Sequence, residues 1–117
     1  MPRLSALLIA IPMALAGCAT TPDPEALRTV SGAQASIEQA ARADAVDSRA
    51  LSAAREKLAA AQRALNDGEE EEAIRLAEEA RVDAAYAAAV ARQQKAQRAV
   101  QEIEDAIATL RAETAVP

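Results

Sequence analysis

The sequence offers few side chains that could do chemistry, and the most conspicuous one is isolated near its start. Cys18 is the only cysteine in the 117 residues, and the chain contains no histidine. Without an imidazole, the Cys18 thiol cannot form the Cys–His pair of a nucleophilic catalyst or a thiolate–imidazole metal site. An unpaired thiol in this position is therefore a candidate for covalent modification.

Carboxylates form the other groups of chemical interest. Glu69–Glu72 stand in a row, and Asp44 and Asp47 are three positions apart. Either group could hold a metal or a cationic ligand, but acidic side chains also stabilise the first turn of a helix through its dipole. We expect the glutamates to begin a helix, and a functional Asp44–Asp47 pair is the alternative to a simple chain break there. With no phosphate loop, dinucleotide fingerprint or metal-ligand spacing, the sequence predicts no enzyme, no cofactor and no metal site.

Composition argues against nucleic-acid binding. Aromatic residues make up 1% of the chain, which is Tyr86 alone, and the net charge is −5. Single-strand binders stack bases on aromatic side chains, and all nucleic-acid binders must attract phosphates. We therefore expect no nucleic-acid partner.

The first residues have the order of a secretory signal. A basic start that includes Arg3 precedes an apolar run from Leu4 to Leu15, and the small residues Ala16 and Gly17 follow. A membrane-spanning helix is the alternative, but the run is about a dozen residues where a span needs about 20, and Pro12 interrupts it.

The end of this signal resembles the lipobox of bacterial lipoproteins, in the residues Leu15-Ala16-Gly17-Cys18. The resemblance implies cleavage between Gly17 and Cys18, a diacylglyceryl group on the Cys18 thiol and, in Gram-negative bacteria, acylation of the new amino group. Two or three acyl chains anchor a protein firmly to a membrane, whereas one chain alone binds marginally. Because Ala19 and not Asp follows Cys18, the resemblance implies the periplasmic leaflet of the outer membrane.

The remaining chain is predicted to be one all-α domain. Residues 1–17 form the signal, 18–24 the lipidated cysteine and a short tether, 25–114 an alanine-rich helical domain and 115–117 a tail. The sequence Asn66-Asp67-Gly68 predicts a helix end and a tight turn. Asp67 is then expected to cap the next helix, with Glu70 as its capping-box partner.

Heptad spacing predicts a long, coiled-coil-like antiparallel hairpin that turns at Gly68. Large apolar residues recur every seven positions in the first arm, and this pattern fails within 44–48. The first arm is therefore kinked or split there, with Asp47 or Ser48 as a new N-cap. The expected helices cover about 26–43, 48–66 and 69–113. The apolar positions of the first arm are Val30, Ile37, Leu51, Leu58 and Leu65, with alanines at 33, 40, 54 and 61.

The second arm carries two stripes. One continues from Val82 and Tyr86 to Leu110 in steps of four and three, and the other is alanine-lined. Folding at Gly68 should place Leu51 opposite Ala84, and Val30 near Ile103 and Ile107. Tyr86 should then pack in the core. The other interpretation is an interaction surface that combines Tyr86 with the basic residues Arg92, Lys95 and Arg98.

A long pattern of positions on both sides of the turn is the basis of a family resemblance: Leu51, Ala54, Arg55, Lys57, Leu58, Ala61, Ala64, Leu65, Gly68, Ala73, Leu76, Ala77, Ala80, Asp83 and Ala84, with Ala33, Ile37, Ala40, Ala41 and Ala43 upstream. In this pattern residues 30–90 resemble the DUF4398 domain family, whose members are small bacterial envelope proteins, often lipoproteins. Some members are joined to OmpA-like peptidoglycan-binding domains, and these 117 residues contain no stretch that resembles one. The proline that often precedes the family's second helix is replaced here by Asp47-Ser48. The resemblance implies a helical fold and an envelope address, without an activity.

Two further resemblances are partial. Leu65–Ala80 is similar to the inside of a tetratricopeptide repeat, but one unit cannot form the array of about three that such proteins need. The order of lipobox, tether and alanine-rich helix is similar to the major murein lipoprotein, whose C-terminal lysine is linked to peptidoglycan; this chain ends in Pro117.

Two functions follow as expectations. The first is a membrane-anchored periplasmic scaffold that associates with itself or with another envelope protein and performs no catalysis. The second is a binding module whose helical groove takes a peptide, a lipid or peptidoglycan without a covalent link. An enzyme that works through carboxylates alone would need two acids in a cleft, which a two-helix rod does not offer.

Overall fold

A computed structural model describes residues 21–45 and 48–115, and this part of the chain forms three helices. They are α1 (Pro24–Arg42), α2 (Arg49–Asn66) and α3 (Glu70–Thr114). No strand occurs within the described residues. The predicted all-α fold with a hairpin and a divided first arm is confirmed, and the division yields two separate helices. Residues 1–20, with the predicted signal and lipobox and Cys18, lie outside the described part, as do residues 46–47, which include Asp47, and residues 116–117.

Side-chain caps begin the first two helices. The Asp23 carboxylate accepts a hydrogen bond from the Glu25 amide at 2.8 Å, and Pro24 occupies the first helical position. The Ser48 hydroxyl oxygen accepts from the Leu51 amide at 3.1 Å. Each cap satisfies an amide that has no partner inside its helix. Ser48, one of the two predicted caps, therefore starts α2.

The expected capping box at α3 is wrong. Glu69 is the N-cap of α3 and makes no side-chain capping bond, whereas Asp67 is the C-cap of α2. Asp67 stands two residues before the N-cap of α3. The chain is still closing the end of α2 there, since the Glu69 amide donates to the Ala64 carbonyl. The Glu70 carboxylate instead accepts from the Asp23 amide at 2.9 Å, so the start of α1 lies beside the start of α3.

The same backbone motif ends α1 and α2. At Gly68 (φ +78°) the chain enters the left-handed region, and the amides of Gly68 and Glu69 donate to carbonyls of the last helical turn. At Asp44 (φ +63°) the amides of Asp44 and Ala45 do likewise, each at 3.2 Å. Both turns are Schellman motifs, which stop a helix and redirect the chain. Asp44 thus has a structural place at a turn.

Because the chain reverses at Asp44, α1 folds back along the hairpin of α2 and α3. Val30 and Ala33 pack with Ala77 and Ala80, and further on Ile37 packs with Ala84 to Ala91. Residue numbers rise together in α1 and α3, so these helices run in the same direction and α2 runs against both. The result is a three-helix bundle that ends near Ala91.

The expected facing pairs are therefore half right. Leu51 shares a cluster with Ala84, as predicted for the hairpin. The predicted placement of Val30 near Ile103 and Ile107 is wrong, since Val30 lies in the cluster with Ala77 and Ala80, which precede Ile103 by 26 and 23 residues along α3. Both clusters are alanine-rich, and small side chains allow the three helices to approach closely.

Replacing Asp44 with glycine should stabilise the fold. A non-glycine residue pays about 1–2 kcal/mol in the left-handed region, and aspartate somewhat less. We expect Asp44→Gly to raise the free energy of unfolding by about 0.5–1 kcal/mol in a urea titration.

Gly68→Ala is the matched control and should act in the opposite direction. A Cβ at Gly68 would meet nothing within 4 Å, so only the backbone conformation opposes it. If both substitutions left the urea midpoint unchanged, neither turn would have the left-handed geometry described above.

Candidate interaction surface

A row of apolar side chains runs along one face of α3 and is exposed. Its large members are 42–67% exposed, with Tyr86 at 65% and Ile107 at 42%. Successive positions alternate steps of four and three, which is the heptad spacing of a coiled-coil contact. We call this row the outer seam; it consists of Val82, Tyr86, Ala89, Gln93, Ala96, Val100, Ile103, Ile107 and Leu110.

The outer seam faces away from the bundle. The buried face of α3 is formed by alanines at 73, 77, 80, 84, 87, 88 and 91. Val82 and Tyr86 each follow a buried alanine by two positions, which is a rotation of about 200° around the helix axis. Two heptad rows therefore occupy opposite sides of α3. The alanine row closes the bundle, and no described residue covers the outer seam.

Beyond Ala91, α3 leaves the bundle. Every residue from 92 to 115 is exposed, and within the described chain neither hydrophobic cluster reaches past Ala91. This free half, residues 92–114, is about 34 Å of helix by its rise. Most helix stability in proteins comes from the packing of an apolar face, and no described residue packs against this stretch. The free half therefore presents a surface suited to packing against another helix.

The expectation that Tyr86 packs in the core is wrong. The apolar stripe from Val82 to Leu110 is present as predicted, but it points outward, because α1 and α2 pack against the alanine row instead. The sequence contained the necessary signal in the unbroken alanine spacing from Ala73 to Ala91. Alanine has a low apolar area, so that row gives a weaker pattern than Ile, Leu and Val do.

The three basic residues do not share a face with Tyr86. Lys95 follows Tyr86 by nine positions, a rotation of about 180°. Arg98 lines a shallow cleft at the end of the bundle together with Asp44, Ser48, Ala91 and Gln94. Tyr86 and the basic residues thus form two separate surfaces.

The acidic residues at the start of α3 are used locally. Arg75 binds both oxygens of Glu72 and also Glu79, all on the solvent side of one helix. The hydrogen bond from Arg75 lowers the pKa of Glu72 below its usual value. Among the described residues, no group of three acidic or cysteine side chains is arranged to hold a metal ion. The glutamates therefore behave as a charged first helical turn.

An ion pair joins α2 to α3 at mid-bundle. The Lys57 Nζ lies 2.7 Å from Asp83 Oδ2 and 3.3 Å from Glu79 Oε2. The hydrogen bond to Asp83 raises the pKa of Lys57 above its usual value. This cluster is partly exposed and all its members are paired, which indicates a role in aligning the two helices and not in proton transfer.

Within the described residues, none of the helices has the length and apolar character to cross a membrane. Gly17, Cys18 and the rest of the lipobox lie outside this part of the chain, so its geometry adds nothing to the predicted lipidation.

Comparison with known proteins gives one match. A family model described as "Domain of unknown function (DUF4398)" matches residues 28–103. This range begins within α1, takes in all of α2 and reaches into the first part of the free half of α3. Neither the curated proteins nor the solved structures include a match to this chain.

Proposed function

We propose that this chain, which belongs to the DUF4398 family, is a lipid-anchored scaffold protein of the bacterial cell envelope and performs no catalysis. In this proposal acyl chains on Cys18 hold it in the membrane, and the outer seam of α3 binds another helix. The observation that carries the scaffold role is the free half of α3, whose apolar heptad row is exposed beyond the bundle.

The position of the tether supports this arrangement. The Asp23 amide donates to Glu70 at the start of α3, so the chain that arrives from Cys18 joins the bundle at that end. The free half of α3 leaves from the opposite end of the bundle. An anchor at Cys18 therefore leaves the seam of the free half accessible to other envelope components.

The membrane assignment rests on the sequence. The order of basic, apolar and small residues before Cys18 favours export and lipidation, and Ala19 favours the periplasmic leaflet of the outer membrane in Gram-negative bacteria. One form of this scaffold role is a non-covalent contact between the helical rod and peptidoglycan.

Fractionation and mass spectrometry of the full chain test the proposal. We expect a protein that begins at residue 18, carries a fatty-acid label and sediments with outer-membrane vesicles. Cross-linking of intact cells should then recover a second copy or a defined envelope protein on α3. A chain that is unlabelled, keeps its first 17 residues and has no cross-linked neighbour would contradict both halves of the proposal.

A second candidate is a binding module, and the cleft beside Arg98 favours it. Arg98 and Gln94 there lie close to Asp44 and Ser48, which gives the cleft donors and acceptors for a peptide or a glycan strand. If this surface binds isolated cell wall, Arg98→Glu with Arg92→Glu and Lys95→Glu should abolish that binding in a pull-down assay. Undiminished binding by the triple variant would rule out these basic residues as the contact.

A further inference from the structure

We infer that the outer seam binds the outer seam of a second copy of this chain, with the two α3 helices antiparallel and centred on residue 98. This inference rests on the proposed scaffold role and specifies its partner. Three features of α3 point to this occupant, namely the length of the seam, the alternation of large and small residues along it, and the distribution of charge along the helix.

The outer seam is long enough for a coiled-coil contact with a second helix. Nine heptad positions from Val82 to Leu110 cover four heptad repeats and about 42 Å of helix. Sustained spacing over three to four heptads is the pattern of a coiled-coil partner. Because the seam lies about 200° from the buried alanines, a second helix can follow its whole length without meeting α1 or α2.

The order of side-chain sizes selects the antiparallel direction. In a parallel pair each seam position would face its own copy, so Ala89 and Ala96 would form thin layers next to a thick Tyr86 layer. In the antiparallel pair centred on residue 98, positions equally far before and after the centre face each other. Ala89 then meets Ile107, and Ala96 meets Val100. Each alanine of the seam thus faces a large side chain, which fills the interface evenly.

Charge selects the same direction and register. Residues 92–98 contain Arg92, Lys95 and Arg98, a net charge of +3, and residues 99–105 contain Glu102, Glu104 and Asp105, a net charge of −3. A parallel pair would place each stretch beside its own copy, where like charges repel. The antiparallel pair puts the positive stretch of one copy at the level of the negative stretch of the other, and shifting it by a heptad toward the bundle would bring the two positive stretches to the same level. Because Lys95 and Arg98 lie on the far side of α3 from the seam, these charges favour the register through the overall charge along the rod and not through ion pairs across the contact.

This arrangement separates the two tethers. The start of each α3 lies 28 residues before the centre, so the two starts are about 84 Å apart along the pair. Since each tether joins its bundle beside that start, the anchors leave from opposite ends. A pair held by both anchors in one membrane then lies along the membrane surface.

Cysteine cross-linking of the full chain in the bacterial envelope tests the pair. We would co-express Ala89→Cys and Ile107→Cys copies that carry different epitope tags, and oxidise the envelope fraction. Facing seam positions bring Cα atoms within the 4.4–6.8 Å that a disulfide requires. We expect a disulfide between the two variants. Neither variant should cross-link with itself, because identical positions are then about 27 Å apart.

Four controls make the result specific. The wild-type chain reports any cross-link through Cys18. Gln94→Cys and Glu102→Cys place thiols equally far before and after the centre of the pair but outside the seam, and should give no disulfide. Adding Ile103→Glu to the first pair should lower its yield roughly tenfold or more, because the charge would be buried without a partner. Ala108→Glu, on the other side of the same exposed helix, should leave the yield unchanged.

Each outcome decides the inference. Self-cross-links at residues 89 and 107 would show a parallel pair and overturn the antiparallel arrangement. No cross-link at any seam position would overturn the second copy as the occupant. If another envelope protein were then recovered on α3, the scaffold role would stand without the pair. A cross-linked pair that carries no fatty-acid label would leave the pair intact and refute the anchor.

Discussion

Replacing Cys18 with serine should abolish lipid attachment to this chain. A hydroxyl has a far higher pKa than a thiol and is a much weaker nucleophile, so the acyl-transfer step that the lipobox implies has no acceptor. We expect the fatty-acid label to fall from the wild-type level to background. We also expect the chain to keep its first 17 residues, as it should if the cleavage that the lipobox implies requires a lipidated Cys18.

Label incorporation and the intact mass are the two measurements to make. Sedimentation alone is insufficient, because an uncleaved apolar run from Leu4 to Leu15 can hold the variant at a membrane by itself. Ala19→Ser is the matched control; it changes the neighbouring residue and should be labelled and cleaved like the wild type. A Cys18→Ser chain that still incorporates label would place the lipid on another residue.

Leu51→Ala should cause the largest loss of stability of any single truncation in the bundle. Leu51 is fully buried and is the largest side chain with so little exposure among the described residues. It packs in the cluster that joins all three helices, where its neighbours are mostly alanines. Truncation removes its apolar contacts and leaves a cavity, at a cost of about 2–5 kcal/mol. A small domain is stable by only about 5–15 kcal/mol, so much of the total is lost.

Urea unfolding followed by circular dichroism measures this loss. A change of about 3 kcal/mol lowers the midpoint by about 1–3 M at the slopes usual for small proteins. Leu27→Ala is the matched control, because Leu27 is 44% exposed on α1 and should lose less than about 1 kcal/mol. Equal losses from both variants would mean that α1, α2 and α3 do not close around Leu51.

Cys18 and Leu51 illustrate the difference between a prediction from neighbouring residues and one that depends on distant parts of the chain. The prediction for Cys18 is local, since it depends only on a few preceding residues. The burial of Leu51 also follows from heptad spacing within its own helix. The α1 residues that pack against Leu51 do not follow from this spacing, because their position depends on the direction of the chain after Arg42.

The sequence by itself determined the helices and their ends. Alanine, glutamate, arginine and leucine favour helix throughout, Ser48 and Gly68 supply a cap and a left-handed turn, and loss of the heptad marks the division of the first arm. All of these are short-range effects, because each depends on the dihedral angles and hydrogen bonds of a few neighbouring residues.

Only the tertiary structure decided which of the two stripes on α3 is buried. Apolar area alone would predict that the outer seam is buried, since burial stabilises isoleucine, leucine and valine more than alanine. The left-handed turn at Asp44 sends α1 back along α2, and three helices can approach closely only through small side chains. The alanine row therefore closes the bundle, and the larger residues from Val82 to Leu110 are left on the outside for a partner.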